Sequence, residues 1–334
     1  RKRSFGPPAG TGGGLGVSLT TEGATRSLLA AATRKELTDL FGGNVGFDEP
    51  LAPLTSWKVG GPADALVTVE DERGLADLLR LCVRRRLPWW VVGAGSNVLI
   101  GDGGVRGIVV RLTGTFNDVT VNVDDRAVIV AAGGAANVAL VTAKAASAGA
   151  SGVDSLAGIP GTIGGSLRMN AGTDREFGDF VSAVWVQSPS RPEPHQVGVA
   201  YCYRHSTLDR DAVVSRVELK FEREQSERVR RELQARLVRR KRTQPLALPN
   251  AGSCFRNPPG EKAARLIESV GAKGWREGGA EVSTLHGNFI NNLGEATAKD
   301  VATLLARVRR EVYQRCGVEL QLEVHLVGVF IDAA

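Results

Sequence analysis

The 334-residue chain contains no apolar run approaching the ~18 residues that a membrane-spanning helix needs, so a membrane protein of the helical kind is not expected. Cysteine is scarce. Cys82, Cys202, Cys254 and Cys316 lie far apart, with no C-x-x-C pair, which argues against a structural zinc site and reads as reduced thiols in a cytoplasmic protein. His195, His205, His286 and His325 show no ligand spacing, so no metal is assigned. The basic, Gly-rich start lacks the apolar core of a signal peptide, and residues 1–30 read as a mobile tail. Neither nucleotide-loop spacing appears in the most promising loop, "VVGAGSNVLIGDGG" (91–104). It is not G-x-G-x-x-G with an acidic residue ~20 positions on, and it is not G-x-x-x-x-G-K-[ST], so neither an ordinary Rossmann site nor a P-loop is indicated.

What is present is a soluble α/β pattern, 43% hydrophobic and 23% charged. The segment 69–88 predicts a helix capped by Asp71 and ended by Pro88; 89–92 and 107–112 predict strands around a turn at 93–97. Strands are expected at 119–123, 127–134, 181–187 and 212–221, and an Ala-rich helix at 136–148. A charged helix near 225–242, a helix near 261–270, a further element at 288–292, a helix near 297–316 and a strand near 319–329 complete the reading. The formal net charge of +6 permits an anionic small substrate or nucleic acid. The densest basic run, 228–242, carries Leu233, Leu237 and Val238 at helical spacing and no interleaved aromatics, so it reads as a solvated helix face.

Two Gly-rich stretches and one turn carry the chemistry. Residues 93–97 follow a strand and can turn backbone N–H groups and a hydroxyl toward an anion. Residues 156–172, "LAGIPGTIGGSLRMNAG", hold five glycines and Pro160; such density implies backbone pressed against something flat or anionic. The turn "LPNAGSCFRNP" (248–258) sets Ser253 beside Cys254, either of which could react.

With "TSWKVGGPADALV" (55–67), "YRHS" (203–206), "LHGNFINNLGEATAKDV" (285–301) and "LQLEVHLVG" (320–328), these stretches resemble the UDP-N-acetylenolpyruvoylglucosamine reductase (MurB) family, in order, over roughly residues 45–330. The resemblance implies an α+β fold: a two-part FAD-binding module of the PCMH/vanillyl-alcohol-oxidase type plus a C-terminal α/β substrate-binding domain. The borders expected are 31–112 and 113–223 for the two FAD-binding subdomains, 224–320 for the substrate-binding domain, and 321–334 for a terminal strand carrying Glu323. No insertion separates Tyr203 from Ser253, so the chain resembles the shorter type, without a Tyr-bearing loop over the substrate.

The implied activity is reduction of the enolpyruvyl ether of a UDP-sugar in peptidoglycan precursor synthesis, with non-covalent FAD and NADPH as hydride donor. Ser253 is the implied proton donor; Arg204 and Glu323 are implied to stabilise an enolate-like intermediate. Gly93, Ala94, Gly95, Ser96, Asn97, Val98 and Leu99 are expected on the FAD pyrophosphate. Gly158, Ile159, Pro160, Gly161, Thr162, Gly164 and Gly165, with Asn170, Ala171 and Gly172, are expected near the isoalloxazine and ribityl chain. Lys58, Val59 and Gly60 are expected toward the adenine. A bulky change at Gly95 or Gly164 is expected to meet the cofactor or its loop. Asn257, Asn288 and Tyr203 are the substrate contacts, with Arg256 and Lys262 behind them. Cys254 is expected to be a packing residue. His205 stands where the family often has an acidic residue, which leaves the local partner of Arg204 undetermined.

Taken singly, Arg204 reads as a surface ion-pair residue, Glu323 as exposed and Ser253 as a turn former; their order within the family pattern reverses this. The rival readings are another FAD-dependent oxidoreductase of the same fold, a cysteine hydrolase built on Cys254, and a nucleic-acid binder using 228–242. A monomer is expected, with no nucleic-acid or membrane partner.

Overall fold

The computed structural model describes residue 27 and residues 29–331. The tail expected over residues 1–30 therefore lies outside the described residues except at its end, where Leu29 is already buried in the first core.

The first unit runs α1 (Ala31–Phe41), β1 (Val45–Pro50), β2 (Pro62–Val69), α2 (Glu72–Arg85), β3 (Trp89–Val92), β4 (Val98–Ile100) and β5 (Val105–Leu112). Its sheet has the order β1-β2-β5-β3, with β5 parallel to both β2 and β3 and β1 antiparallel at the edge. The Asp71 carboxylate caps α2 by accepting from Gly74 N at 2.7 Å, and Leu75, Leu78, Leu79 and Cys82 bury its apolar face against the sheet. The helix stops sooner than Pro88 would require, because Arg86 turns left-handed at φ 53° and its N–H closes the last turn.

The second unit runs β6 (Val119–Val123), β7 (Ala127–Gly133), α3 (Val138–Ser147), α4 (Ile163–Arg168), β8 (Val181–Ser188), β9 (Arg191–Val197), β10 (Tyr201–Cys202), β11 (His205–Ser206) and β12 (Val213–Glu222). Five of these strands form an antiparallel sheet of order β6-β7-β12-β8-β9. Along β12, Val217, Leu219 and Phe221 face the core while Lys220 and Glu222 are exposed, the alternation expected of a sheet with one solvated face. The Gly-rich stretch 156–172 is not all loop: its middle winds into α4, capped by Thr162, whose Oγ1 accepts from Gly165 N.

The third unit holds α5 (Ser226–Thr243), α6 (Ala263–Ser269), β13 (Arg276–Glu277), β14 (Ala280–Val282), β15 (Ile290–Asn292), α7 (Ala298–Cys316) and β16 (His325–Val327). A Thr297/Asp300 capping box starts α7, and Val301, Leu304, Leu305, Val308 and Val312 bury its inner stripe. On α5 only Val229 is buried, and Leu237 and Val238 are exposed, which fits a solvated helix. The last strand covers three residues rather than the expected 319–329, and it pairs in parallel with β4 of the first unit. Glu323 accordingly sits in the bend before that strand and not within it, because its backbone is engaged by residues of the Ser253 turn and of the 93–97 loop.

Side chains tie the first and third units together. Trp57 is fully buried; its Nε1 donates to Ile290 O at 2.7 Å, and its carbonyl accepts from Asn292 Nδ2 at 2.8 Å. The Asp102 carboxylate accepts from the N–H groups of Ala298 and Lys299, capping α7 from a loop of the first unit.

Candidate active site

The two Gly-rich loops face one another. Ser96 Oγ donates to Pro160 O at 3.0 Å, a Cβ on Gly93 would stand 2.8 Å from Thr162 Oγ1, and one on Gly161 would stand 3.1 Å from Ser96 Oγ. Gly93, Ala94, Pro160 and Gly165 are exposed along this seam, so bare backbone lines it. A flat or anionic group can reach main chain there that any side chain at Gly93 would cover.

Other glycines serve different ends. A Cβ on Gly95, which has φ 59°, would strike the backbone of Leu54 and Thr55, and one on Gly164 would press on Gly134 O at 3.0 Å. Substitution at either would therefore meet the protein's own main chain. Several expected flavin contacts likewise have partners within the protein. Leu99 and Val59 are core residues, Gly60 packs against Ile100, and Lys58 Nζ donates to Pro53 O. Val98 lies in β4, Ile159 packs against the second core, and the N–H of Ala171 donates to Ser166 O. Asn170 is buried and its carboxamide is spent on Glu176, Cys202 and Gly178.

The far end of this seam meets the Ser253 turn. Gly252, at φ 74°, carries the chain into it, and Asn250 Oδ1 accepts from Gly252 N. Cys254 N donates to Asn288 O and Cys254 O accepts from Glu323 N at 2.8 Å, which sets the turn beside the bend carrying Glu323. On the other side of that bend, Asn97 Nδ2 donates to Glu323 O at 3.1 Å and His325 N donates to Asn97 O. Asn97, Glu323 and Cys254 thus form one backbone-linked row, and Ser253 stands half-buried at its edge.

Arg204 enters from the β10–β11 hairpin. Its Nε donates to Glu323 Oε1 at 2.8 Å, its Nη2 donates to Gly172 O at 3.1 Å, and its Nη1 lies 3.8 Å from Glu176 Oε1. The guanidinium also stacks 4.9 Å from the centre of the exposed Tyr203 ring. Neither Arg204 nor Glu323 is a surface residue. Burial raises the Glu323 carboxyl above its ordinary range, against the pull of Arg204 and Arg256. Arg256 Nε is buried with no hydrogen-bond partner among the described residues, so this corner holds unused cationic donor capacity. Burial, then the Arg256 and Arg168 charges, push the His325 imidazole below its ordinary pKa.

Cys254 is fully buried in the third unit's core, and burial pushes its thiol up to about 12, which removes it as a nucleophile. The expected substrate contacts diverge. Asn288 is buried and clamps both backbone polar groups of Phe255: Oδ1 accepts from Phe255 N at 2.9 Å and Nδ2 donates to Phe255 O at 2.8 Å. It holds the turn from behind. Asn257 is exposed, with Oδ1 accepting from Ala263 N at the start of α6; Lys262 is exposed beside it. Among the described residues no cluster could hold a metal ion. Sequence reasoning missed Glu176, the acidic partner supplied to Arg204 from a distant turn; its only local signal is the Glu-x-x-Asp capping box that it forms with Asp179.

Comparison with known proteins places this geometry. Residues 63–185 match an FAD binding domain, and residues 244–327 match the C-terminal domain of UDP-N-acetylenolpyruvoylglucosamine reductase. The reductase of Anaeromyxobacter sp. (strain Fw109-5) is 42% identical over 310 residues, 92% of this chain and 96% of that protein. That of Heliobacterium modesticaldum is 41% identical over 300 residues, 88% of this chain and 94% of that protein. The crystal structure of the Thermus caldophilus reductase superposes with a TM-score of 0.72 at 37% identity, covering 85% of this chain and 98% of that one. The α+β architecture joins an FAD binding domain to a C-terminal domain, and the chain belongs to the UDP-N-acetylenolpyruvoylglucosamine reductase family.

Proposed function

We propose that this protein reduces the enolpyruvyl ether of UDP-N-acetylglucosamine-enolpyruvate to UDP-N-acetylmuramate, using NADPH and one non-covalent FAD, in peptidoglycan precursor synthesis. The observation that carries the reading is the meeting of Arg204, Glu323 and the Ser253 turn at the end of the seam between the two Gly-rich loops. The bare backbone at Gly93, Ala94 and Gly161 suits FAD, and no histidine or cysteine lies in either loop to bond it covalently. When bound, FAD supplies the hydride taken from NADPH.

The protein's own residues meet the remaining demand. A vinyl ether is electron-rich, so hydride addition at its terminal carbon drives an electron pair onto the adjacent carboxylate. Arg204 offers a preorganised cation for that charge. Glu323, kept toward its protonated form by burial, can donate a hydrogen bond where an ionised carboxylate would repel. The Ser253 hydroxyl then delivers its proton to the neighbouring carbon and is reprotonated from water. Arg168, Arg204 and Arg256 give the corner a positive field suited to a substrate with two phosphates and a carboxylate.

The protein is proposed to act in the cytoplasm as a monomer; among the described residues no helix is long and apolar enough to cross a membrane. The subdomain borders 31–112, 113–223 and 224–320 are proposed as the working units, with residues 321–334 completing the site. The test is optical. The purified protein should be yellow, bleach with NADPH and recolour on adding the enolpyruvyl-UDP-sugar; failure to recolour would refute the substrate.

A further inference from the structure

The hairpin that carries Arg204 is too small to hold itself. It has two residue pairs, Tyr201 with Ser206 and Cys202 with His205, and a two-stranded hairpin of that size is marginal alone in water. Arg204 sits at its tip with φ 55°, a left-handed conformation that costs an arginine energy and needs outside support. Two side-chain bonds anchor the strands: Ser206 Oγ donates to Arg168 O at 3.0 Å, and Asn170 Nδ2 donates to Cys202 O at 3.0 Å.

Asn170 does more than hold one strand. Its Nδ2 also donates to Glu176 Oε2 at 2.5 Å, and its Oδ1 accepts from Gly178 N at 2.8 Å. Glu176 Oε1, the other oxygen of that carboxylate, faces Arg204 Nη1. One carboxamide, 1% exposed and itself at φ 43°, therefore fixes both the strand beneath Arg204 and the second carboxylate beside it. Asparagine suits this place: it tolerates a left-handed backbone and supplies two donors and an acceptor at one point.

We propose that Asn170 is a positioning residue for the reaction, acting through Glu176 and the Cys202 carbonyl to aim the Arg204 guanidinium between Glu323 and Gly172. This rests on the proposed function, since it concerns the step in which Arg204 meets a carboxylate. Glu176 Oε1 lies 3.8 Å from Arg204 Nη1, so a second carboxylate stands beside the cation on the side away from Glu323.

The test compares Asn170→Gly, Asn170→Asp and the pair Asn170→Asp with Glu176→Gln, in FAD-loaded protein. Asn170→Gly keeps the backbone conformation and removes the amide. Asn170→Asp keeps the acceptor for Gly178 and sets a carboxylate against Glu176. Reoxidation of reduced flavin by the enolpyruvyl-UDP-sugar should slow about 10²-fold in Asn170→Asp, as expected for a misplaced group. Flavin occupancy, the flavin absorption spectrum and reduction by NADPH should stay near wild type. The paired variant reverses donor and acceptor toward residue 176 but leaves Cys202 O without its donor, so it should recover part of the loss. Equal slowing of both half-reactions, loss of flavin, or no recovery in the pair would overturn the inference. If wild-type flavin is not reoxidised by this substrate, it is the proposed function that fails. Hydrogen exchange over residues 201–206 then decides the inference separately: faster exchange in Asn170→Gly supports it and unchanged exchange overturns it.

Discussion

Arg204 Nε donates to Glu323 Oε1 at 2.8 Å, with side chains only 18% and 16% exposed, and the two residues stand 119 positions apart in the chain. Burial nonetheless outweighs the cation, and the Glu323 carboxyl is shifted upward. A pair in which the acid resists ionising serves better as a hydrogen-bond donor set than as a salt bridge.

A pH dependence of stability follows. The folded pKa of Glu323 lies above its unfolded value, so the folded protein binds this proton more tightly. Its stabilising contribution is complete below the ordinary glutamate range and is lost as pH rises through the raised value. Glu323→Gln removes the titration, so the variant should gain on wild type as pH climbs from about 4.5 toward neutrality. Urea unfolding across that range measures the gap; a gap independent of pH would contradict the upward shift.

Arg204→Ala should slow flavin reoxidation by substrate by roughly 10²–10³-fold and leave reduction by NADPH nearly intact, as expected when one preorganised donor to developing charge is lost. Rapid mixing of each half-reaction separates the two. Glu323→Gln should be milder than Glu323→Ala, because the amide still donates.

Ser253→Ala should bind and reduce FAD normally and lose roughly 10²–10⁴-fold in the second half-reaction. Cys254→Ala should retain turnover and lower the melting temperature, since its thiol fills the third core. In native protein a thiol reagent should modify exposed Cys202 and spare buried Cys254 and Cys82. A dead Cys254→Ala beside an active Ser253→Ala would reverse the roles.

Asn288→Ala strips the partners from Phe255 N and Phe255 O, both deep in the protein. An orphaned buried polar group costs about 1–3 kcal/mol. Both stability and activity should fall, and calorimetry with the reoxidation assay would register the two together. Normal stability would mean that water replaces the amide.

Glycines in the two loops should divide into two classes. Gly95→Val should reduce soluble yield, because its side chain would enter the Leu54–Thr55 backbone. Gly93→Val should fold and lose FAD, since it lies exposed on the seam and would meet only the movable Thr162 side chain. The ratio of flavin to protein absorbance, with circular dichroism, distinguishes them.

Much of this was legible in the residues. Asp71 marks a helix start through its capping chemistry, and the alternation along β12 announces a half-solvated sheet. The edge strand β9 was not, because Pro192 and Pro194 disguise it. Within the site, the resemblance named Arg204, Ser253 and Glu323, and the fold brings their segments together. It also named Asn170, Asn288, Val59 and Leu99, whose side chains turn into the protein. A sequence motif records which residues a backbone requires as well as those a ligand touches, and nothing in its spelling separates the two. Glu176 escaped for the opposite reason: it reaches Arg204 across the fold, where no local spacing could reveal it.

The parallel pairing of β16 with β4 has a consequence for biosynthesis. Residues 320–329 are translated after every other part of the site, yet they supply Glu323, the wall against Asn97 and the strand that covers β4. While the nascent chain is still short of them, the Gly-rich loops and the Ser253 turn can fold around their own cores and meet through Trp57 and Asp102, but they lack the row that runs through Glu323. Competence for the proposed reaction should thus appear only once this segment has emerged, and a chain stalled just before Leu320 should be chemically inert and exposed along β4 to any strand that can take the missing place.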